Sequence, residues 1–169
     1  MKVLETDRLA LRLISVADAE FILKLLNEPS FLRFIGDKGV RTLEGARDYV
    51  LNGPIRSYQE FGFGLYLVEL KAAATSIGIC GLLKRETLED VDLGFAFLPE
   101  YWGNGYALEA AQAMLTHGKN DYGLDRIVAI TDPDNEASIA LLKKSGFSFE
   151  RLMQLTDDAP EVKLFSVHT

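Results

Sequence analysis

Apolar and polar residues alternate in several short runs of the chain, a pattern typical of strands with one buried face. Arg8–Ile14 alternates leucines with arginine and alanine, and three further apolar runs, Phe63–Leu70, Ile77–Lys84 and Val91–Leu98, are separated by polar turns. We therefore predict one strand near the N-terminus and, later in the chain, a meander of three strands.

The segments between these predicted strands have a helical period. Val16–Asn27 places its apolar residues on one stripe, and Leu43–Tyr58 is a second long helical run. Gly53-Pro54 must bend or split the second helix, because proline lacks the N–H that a helix interior requires. Between the two, the apolar segment Ser30–Ile35 is expected to form a helical turn.

The C-terminal part of the chain alternates helices with strands. In chain order we predict a helix from about Gly105 to Asn120, a buried apolar strand over Arg126–Thr131, a helix capped by Asp134 or Asn135 and running through Ser145, and strands over Phe147–Leu155 and Val162–His168. The order predicts one α/β domain over residues 1–169 with a mixed sheet. The two strand–helix units after Val91 should place neighbouring strands parallel, with right-handed crossovers.

Composition narrows the class of protein. The chain has 169 residues, 48% of them hydrophobic, which fits one domain with a sizeable core. No apolar run approaches the ~20 residues of a membrane span, the start lacks a secretory pattern, and the single cysteine, Cys80, excludes an internal disulfide. We expect a cytoplasmic protein without a membrane partner, in which Cys80 is an inert core thiol.

Charge and histidine content exclude two further kinds of site. The formal net charge is −7 and no run of lysine or arginine forms a basic face, so we expect no nucleic-acid partner. An anionic cofactor would then be held mainly by backbone amides, while an acidic surface attracts cationic partners such as amines. His117 and His168 stand alone, without metal-ligand spacing, so no metal site is predicted.

The segment Leu98–Ala111 joins the last meander strand to an alanine-rich helix and contains Gly103 and Gly105. Because glycine has no Cβ, a ligand can approach the backbone closely there. The N–H groups of the helix's first turn have no partner within the helix and lie at the positive end of its macrodipole. Such a turn suits a phosphate or diphosphate.

Three interpretations of this turn remain open on its residues alone. It can be a tightly packed helix start, a dinucleotide-binding turn, or an acyl-coenzyme A site. The dinucleotide interpretation is disfavoured because Leu108 stands where that fingerprint requires a third small residue, and because the turn follows a meander instead of the first strand. A nucleoside-triphosphate loop is excluded, since no Gly-Lys-Ser/Thr follows.

The turn resembles the diphosphate-binding motif of the GNAT N-acetyltransferases, Gln/Arg-x-x-Gly-x-Gly/Ala, with Trp102 in place of its first residue and Gly105 and Ala107 after it. The longer string around it is similar to the branch that contains the ribosomal-protein N-terminal acetyltransferases. The block Asp132–Phe147 resembles the family's Asn-x-x-Ser/Ala…Gly-Phe segment, and the opening Glu5–Arg12 resembles the start of that branch.

This resemblance implies a GNAT-like mixed, mostly antiparallel sheet of about seven strands flanked by about four helices. It also implies direct transfer of the acetyl group of acetyl-CoA to a primary amine, such as a protein N-terminal amine, by a monomer or homodimer. A small-molecule amine acetyltransferase, another acyl chain and a non-catalytic acyl-CoA-binding module are the alternatives. The acceptor is expected near the first helices, Val16–Tyr58, and the last hairpin, lined by Phe31, Phe34 and Tyr58.

The resemblance also implies where the cosubstrate lies. Backbone amides from Gly103 to Ala107 would hold the diphosphate, and the strand before them would pair with the pantetheine arm. A bulge in that strand is expected to splay it from Ile127–Thr131 and admit the thioester. The implied cofactor-binding residues are Phe95, Ala96, Phe97, Trp102, Gly103, Asn104, Gly105, Tyr106, Ala107, Leu108, Asn135 and Ser138.

Two residues are candidates for catalysis. Many family members have a tyrosine proton donor where this chain has Leu142, and Ser138 is the substitute, unless it only caps its helix. Asp92 is the candidate base, because it shares a strand face with Gly94 and a carboxylate beside an apolar cleft has a raised pKa. A solvated charge at the strand end is the alternative, and the weaker candidates for the base are Glu86, Glu89 and Glu100. An N–H at Phe95 or Phe97 would stabilise the oxyanion.

Overall fold

The strands form a single sheet in a computed structural model that describes all 169 residues. The strand bounds are β1 Lys2–Glu5, β2 Leu9–Leu13, β3 Leu65–Leu70, β4 Thr75–Leu83, β5 Asp92–Phe97, β6 Arg126–Thr131, β7 Ser148–Met153 and β8 Val162–His168. The eight strands lie in the order β1-β2-β3-β4-β5-β6-β8-β7. Every neighbouring pair is antiparallel except β5 and β6, which confirms the mixed, mostly antiparallel sheet.

The first strand, β1, is absent from the sequence prediction. It has four residues at the edge of the sheet, and each is exposed or only half-buried. Its sequence, Lys-Val-Leu-Glu, is too short to establish an alternation, so pairing with β2 makes it a strand.

The expected order of the C-terminal strands was wrong in one respect. β5 and β6 are parallel neighbours as predicted, but β8 lies between β6 and β7 and pairs antiparallel with both. β8 contains the buried residues Leu164, Phe165 and Ser166, whereas the side chains of β7 are nearly all exposed. The strand with the buried side chains takes the interior position, and β7 forms the edge.

The helices cover both faces of the sheet. Their bounds are α1 Ala19–Leu26, α2 Pro29–Phe34, α3 Leu43–Val50, α4 Arg56–Phe61, α5 Tyr106–Tyr122 and α6 Glu136–Lys144. A π-helical turn, Leu51–Ile55, joins α3 to α4 around Pro54, so the helix is split there, one of the two outcomes predicted. None of these helices has the length and hydropathy of a bilayer-spanning segment.

Two apolar clusters fill the space between the sheet and its helices. On one face, Met114 and Ala110 of α5 pack against Tyr66 and Leu82. On the other face, α1 and α3 pack over Leu67 and Ile79. Cys80 is fully buried in the first cluster, and burial raises the pKa of its thiol, as expected of an inert core cysteine.

Candidate active site

The parallel strands β5 and β6 separate soon after they begin. Asp92 is in register with Val128, and the Val128 N–H donates to the carbonyl oxygen of Val91 at 3.0 Å. No further ladder continues toward the C-terminal ends of the two strands. The expected gap between these strands is therefore present, and it opens toward the glycine turn.

The backbone of β5 presents unpaired groups to this gap. On the edge of β5 that pairs with β4, the Leu98 N–H donates to the Ile77 carbonyl oxygen at 2.9 Å. The backbone groups of Leu98 therefore face β4. Because these directions alternate along an antiparallel strand, the N–H groups of Phe95 and Phe97 face β6. Beyond the end of the β5–β6 ladder they have no strand partner.

The bulge expected in β5 is absent. The β4–β5 register runs unbroken from Gly78↔Phe97 to Leu83↔Asp92. At the open end of the gap, the Trp102 indole N–H donates to the Phe97 carbonyl oxygen at 2.9 Å. The indole therefore satisfies a strand acceptor that β6 does not reach.

The glycine turn has the backbone conformation that glycine favours. Gly103 and Gly105 both have φ +80°, in the left-handed region. Gly105 is also the N-cap residue of α5, so it begins the turn whose N–H groups lack helical partners. A Cβ on Gly103 would have nothing within 4 Å, and a Cβ on Gly105 would meet only Arg8 Nη2, at 3.4 Å. The backbone is thus open to a ligand on this surface.

One cavity of about 650 Å³ joins this turn to the gap between the strands. It is lined by most of the residues that the resemblance implied for cofactor binding: Phe95, Ala96, Phe97, Trp102, Gly103, Gly105, Tyr106, Ala107, Leu108, Asn135 and Ser138. Asn104 is the exception. Its side chain turns back to the carbonyl oxygens of Tyr101 and Trp102, at 3.4 and 3.3 Å.

The start of α6 forms a second wall of the cavity. Asn135 caps the helix, and its Oδ1 accepts from the Ser138 N–H at 3.2 Å. Ser138 lines the cavity and its hydroxyl has no protein partner. Leu142 is fully buried in the core, and Leu141 lines the cavity in its neighbourhood. Ser138 is consequently the one hydroxyl that α6 presents to this space.

The structure places Asp92 outside the cavity. Its side chain is 1% exposed, and its Oδ1 accepts from Arg85 Nε at 3.1 Å. Burial raises the pKa of Asp92, and the Arg85 charge only partly offsets this. Asp92 is therefore neither the solvated charge nor a carboxylate open to a substrate. It forms a buried ion pair at the closed end of the β5–β6 gap.

The other end of the cavity is built by α1 and α2. Phe31 and Phe34 line it as expected, whereas Tyr58 does not. The Tyr58 hydroxyl is engaged elsewhere, accepting from Ile14 N–H and donating to the carbonyl oxygen of Leu65. The sequence analysis missed Glu28, a half-buried residue of this wall that makes no ion pair.

The N-terminal segment is bound to the glycine turn through Arg8. Its Nη1 donates to the Asn104 carbonyl oxygen at 2.9 Å, and its Nε donates to Glu109 Oε1 at 2.8 Å. The Glu109 carboxylate also accepts from the Arg8 N–H at 3.0 Å and from the Thr6 hydroxyl. The opening segment and the glycine turn, which the sequence analysis treated as separate motifs, are therefore one structural unit.

Comparisons with known proteins agree with this geometry. Residues 8–148 match the family model described as an acetyltransferase (GNAT) domain. The chain is 31% identical over 154 residues to an uncharacterised N-acetyltransferase, YoaA, of Bacillus subtilis, which covers 90% of this chain and 86% of that protein.

Solved structures share the fold. A ribosomal-protein-S5-alanine acetyltransferase from Vibrio fischeri superposes with a TM-score of 0.80 at 21% identity, covering 99% of this chain and 96% of that one. A RimL ribosomal L7/L12 alpha-N-protein acetyltransferase, solved in complex with coenzyme A, superposes with a TM-score of 0.78 at 18% identity, covering 99% and 98%. At these identities the likeness concerns the fold.

Proposed function

The chain belongs to the GNAT family of acetyl-CoA-dependent acyltransferases, and we propose that it transfers acetyl directly to a primary amine held at the α2 end of its cavity. The observation that carries this proposal is the continuity of one cavity. It runs from the glycine turn at the start of α5, along the unpaired edge of β5, to the apolar wall of α2. A donor and an acceptor can occupy it together, which makes the attack effectively unimolecular.

The cosubstrate fits the first two parts of this cavity. The diphosphate of acetyl-CoA would accept from the N–H groups of Gly103 to Ala107, where the helix start favours an anion. The pantetheine arm would pair with the groups of β5 that face the gap. Phe97 can offer its N–H freely, but its carbonyl oxygen is already bonded to Trp102. The arm must either leave that bond in place or displace the indole.

The same backbone groups support the chemistry. A neutral amine attacks the thioester carbon, and negative charge develops on the carbonyl oxygen. The N–H of Phe95, which faces the gap, is placed to stabilise that charge. The C–S bond then breaks and the thiolate leaves. Ser138, a hydroxyl of the cavity wall, would hydrogen-bond to the sulfur and relay a proton to it from water, regaining its own proton in the same step.

A different residue replaces Asp92 as the candidate base. Glu28 is half-buried in the cavity wall, carries no ion-pair partner and lies next to the apolar side chains of α2. It can bind the acceptor as an ammonium ion and take up the proton that leaves the amine. The overall charge of −7 also favours cationic acceptors.

For the acceptor, we propose a protein N-terminal amine. Phe31 and Phe34, with Ile35, give this end of the cavity an apolar surface that suits the first side chains of a peptide. One protein of the same fold is named a ribosomal L7/L12 alpha-N-protein acetyltransferase, which supports the same choice. A small amine that carries an apolar group is the second candidate, because the same wall would accept it.

The test is release of coenzyme A thiol from acetyl-CoA with matched acceptors. Short peptides with free N-termini, the same peptides with blocked N-termini, and a panel of small amines would be compared at equal concentration. Turnover with free but not blocked peptides supports the proposal. Turnover with small amines alone refutes the protein acceptor. Coenzyme A binding without turnover on any amine would identify a non-catalytic acyl-CoA-binding module.

A further inference from the structure

We infer that Arg8 is a positioning residue that holds the diphosphate-binding turn in shape and keeps a positive charge beside it. The inference rests on the proposed acetyl-CoA site. It concerns an arginine that precedes the glycine turn by almost a hundred residues and lies in a segment with no assigned role so far.

The bond from Arg8 to Asn104 fixes a peptide plane of the turn. Arg8 Nη1 donates to the Asn104 carbonyl oxygen at 2.9 Å. The C=O and N–H of a trans peptide point in opposite directions, so the Gly105 N–H is held on the side away from Arg8. Glycine has little conformational preference of its own, and a turn with two glycines therefore needs an external contact to keep its donors aligned.

Arg8 also neutralises a carboxylate that would otherwise oppose an anion. Glu109 lies in the first turn of α5, where a negative charge stabilises the helix but repels a diphosphate bound at the same end. Its carboxylate accepts from Arg8 Nε and Arg8 N–H and from the Thr6 hydroxyl. Burial alone would raise the pKa of Glu109, but these bonds outweigh it and lower the pKa, so the carboxylate stays ionised.

The Arg8 guanidinium has one nitrogen, Nη2, that makes no hydrogen bond within the protein and lies beside the glycine turn. Arg8 Nη2 donates to no protein group and lies 3.4 Å from the point where a Gly105 Cβ would stand. The guanidinium is stacked over the Tyr106 ring, 4.4 Å from its centre, which restricts its orientation. Its side chain is 46% exposed, and an ion pair with so exposed a partner contributes little to stability. A role in ligand binding accounts for the arrangement better than stability does.

The test compares Arg8→Gln with Arg126→Gln. Arg126 pairs with Asp90 and Glu150 at the start of β6, away from the cavity, so its loss removes ion pairs without touching the turn. Calorimetric titration with coenzyme A should show a dissociation constant about tenfold higher for Arg8→Gln and unchanged for Arg126→Gln. In the transferase assay, KM for acetyl-CoA should rise about tenfold, with kcat within twofold of wild type.

A donor without the diphosphate, and further variants of Arg8 and Glu109, distinguish a positioning role of Arg8 from a general loss of folding. S-acetylpantetheine lacks the diphosphate, so its kcat/KM should be the same in Arg8→Gln as in wild type. Arg8→Lys should recover part of the affinity, because it restores the charge but not the fork of donors. Adding Glu109→Gln to Arg8→Gln should also recover part, because it removes the uncompensated carboxylate.

Wild-type affinity for coenzyme A in Arg8→Gln would overturn the inference and leave the proposed function standing. An equal loss with S-acetylpantetheine, or an equal loss in Arg126→Gln, would also overturn it, by assigning Arg8 to folding alone. A wild-type protein that does not bind coenzyme A would overturn both the inference and the proposed function.

Discussion

Replacing Gly105 by alanine tests the diphosphate turn with a control supplied by the same helix. Gly105 precedes α5 with φ +80°, and Gly123 follows it with φ +62°. Both are exposed, and a Cβ at either position meets no atom closer than 3.4 Å. Gly105→Ala and Gly123→Ala therefore impose similar backbone strain, but only Gly105 lines the cavity.

The structure sets the expected magnitudes. An alanine forced into the left-handed conformation costs about 1–2 kcal/mol. In a chain of 169 residues this lowers the melting temperature by about 2–8 °C, and similarly for both variants. At Gly105 the added methyl group would also narrow the space between the turn and Arg8 Nη2, 3.4 Å away, where the diphosphate is proposed to bind, and so weaken its contacts with the N–H groups. Losing one hydrogen bond to a charged group costs about 1.5–3 kcal/mol, or on the order of 10- to 100-fold in dissociation constant.

The assay has two parts. Thermal unfolding without ligand measures the strain, because bound coenzyme A would itself stabilise the protein. Calorimetric titration with coenzyme A then measures affinity. We expect equal melting temperatures for the two variants and weakened binding only in Gly105→Ala. Wild-type affinity in Gly105→Ala, with the stability loss present, would show that the diphosphate does not bind at this turn.

Three further outcomes follow from the site. Ser138→Ala should lower kcat at least about tenfold with KM and melting temperature unchanged; an unaltered kcat would remove Ser138 as the proton donor. Coenzyme A should change the fluorescence of Trp102, the single tryptophan, if the cosubstrate displaces the indole from Phe97; a titratable binding event without a spectral change would contradict displacement. Asp92→Asn should leave the pH–rate profile unchanged, since Asp92 lies outside the cavity, and a shifted profile would return it to catalysis.

Asp92 also predicts the sign of a stability effect. Because its pKa is raised in the folded protein, the folded state is favoured when the carboxyl is protonated. That contribution is complete below the unfolded value of about 3.9 and is lost as the pH rises through the raised pKa. The urea midpoint of wild type relative to Asp92→Asn should therefore fall as the pH rises above about 4. A relative midpoint that rises instead would contradict the buried-pair account.

The sequence predicted those parts of the fold that depend on local pattern. The alternation in Arg8–Ile14, the buried run Arg126–Thr131 and the cap at Asn135 each led to an element that the structure contains. The interruption of the helix at Pro54 was predictable for the same reason, since proline removes a helical donor at a fixed position. The glycine turn was identifiable as a possible ligand site because two glycines at a strand–helix junction leave the backbone open, and the family resemblance then favoured one of its three interpretations.

Long-range contacts were the part that the sequence did not predict. Nothing near Asp92 in the sequence indicates that its carboxylate will be buried in a pair with Arg85, so its position away from the cavity was not predictable. The bond between Arg8 and Asn104 joins residues far apart in the chain. Glu28 becomes a candidate only because it lines the same cavity as β5. Each of these depends on packing, which periodicity does not encode.

The most direct test of the account is a crystal structure of the protein with coenzyme A. We expect the diphosphate within hydrogen-bond distance of the backbone nitrogens between Gly103 and Ala107, and the thiol in the gap between β5 and β6 near Phe95. Coenzyme A bound in any other part of the molecule, or no bound coenzyme A at saturating concentration, would contradict the account.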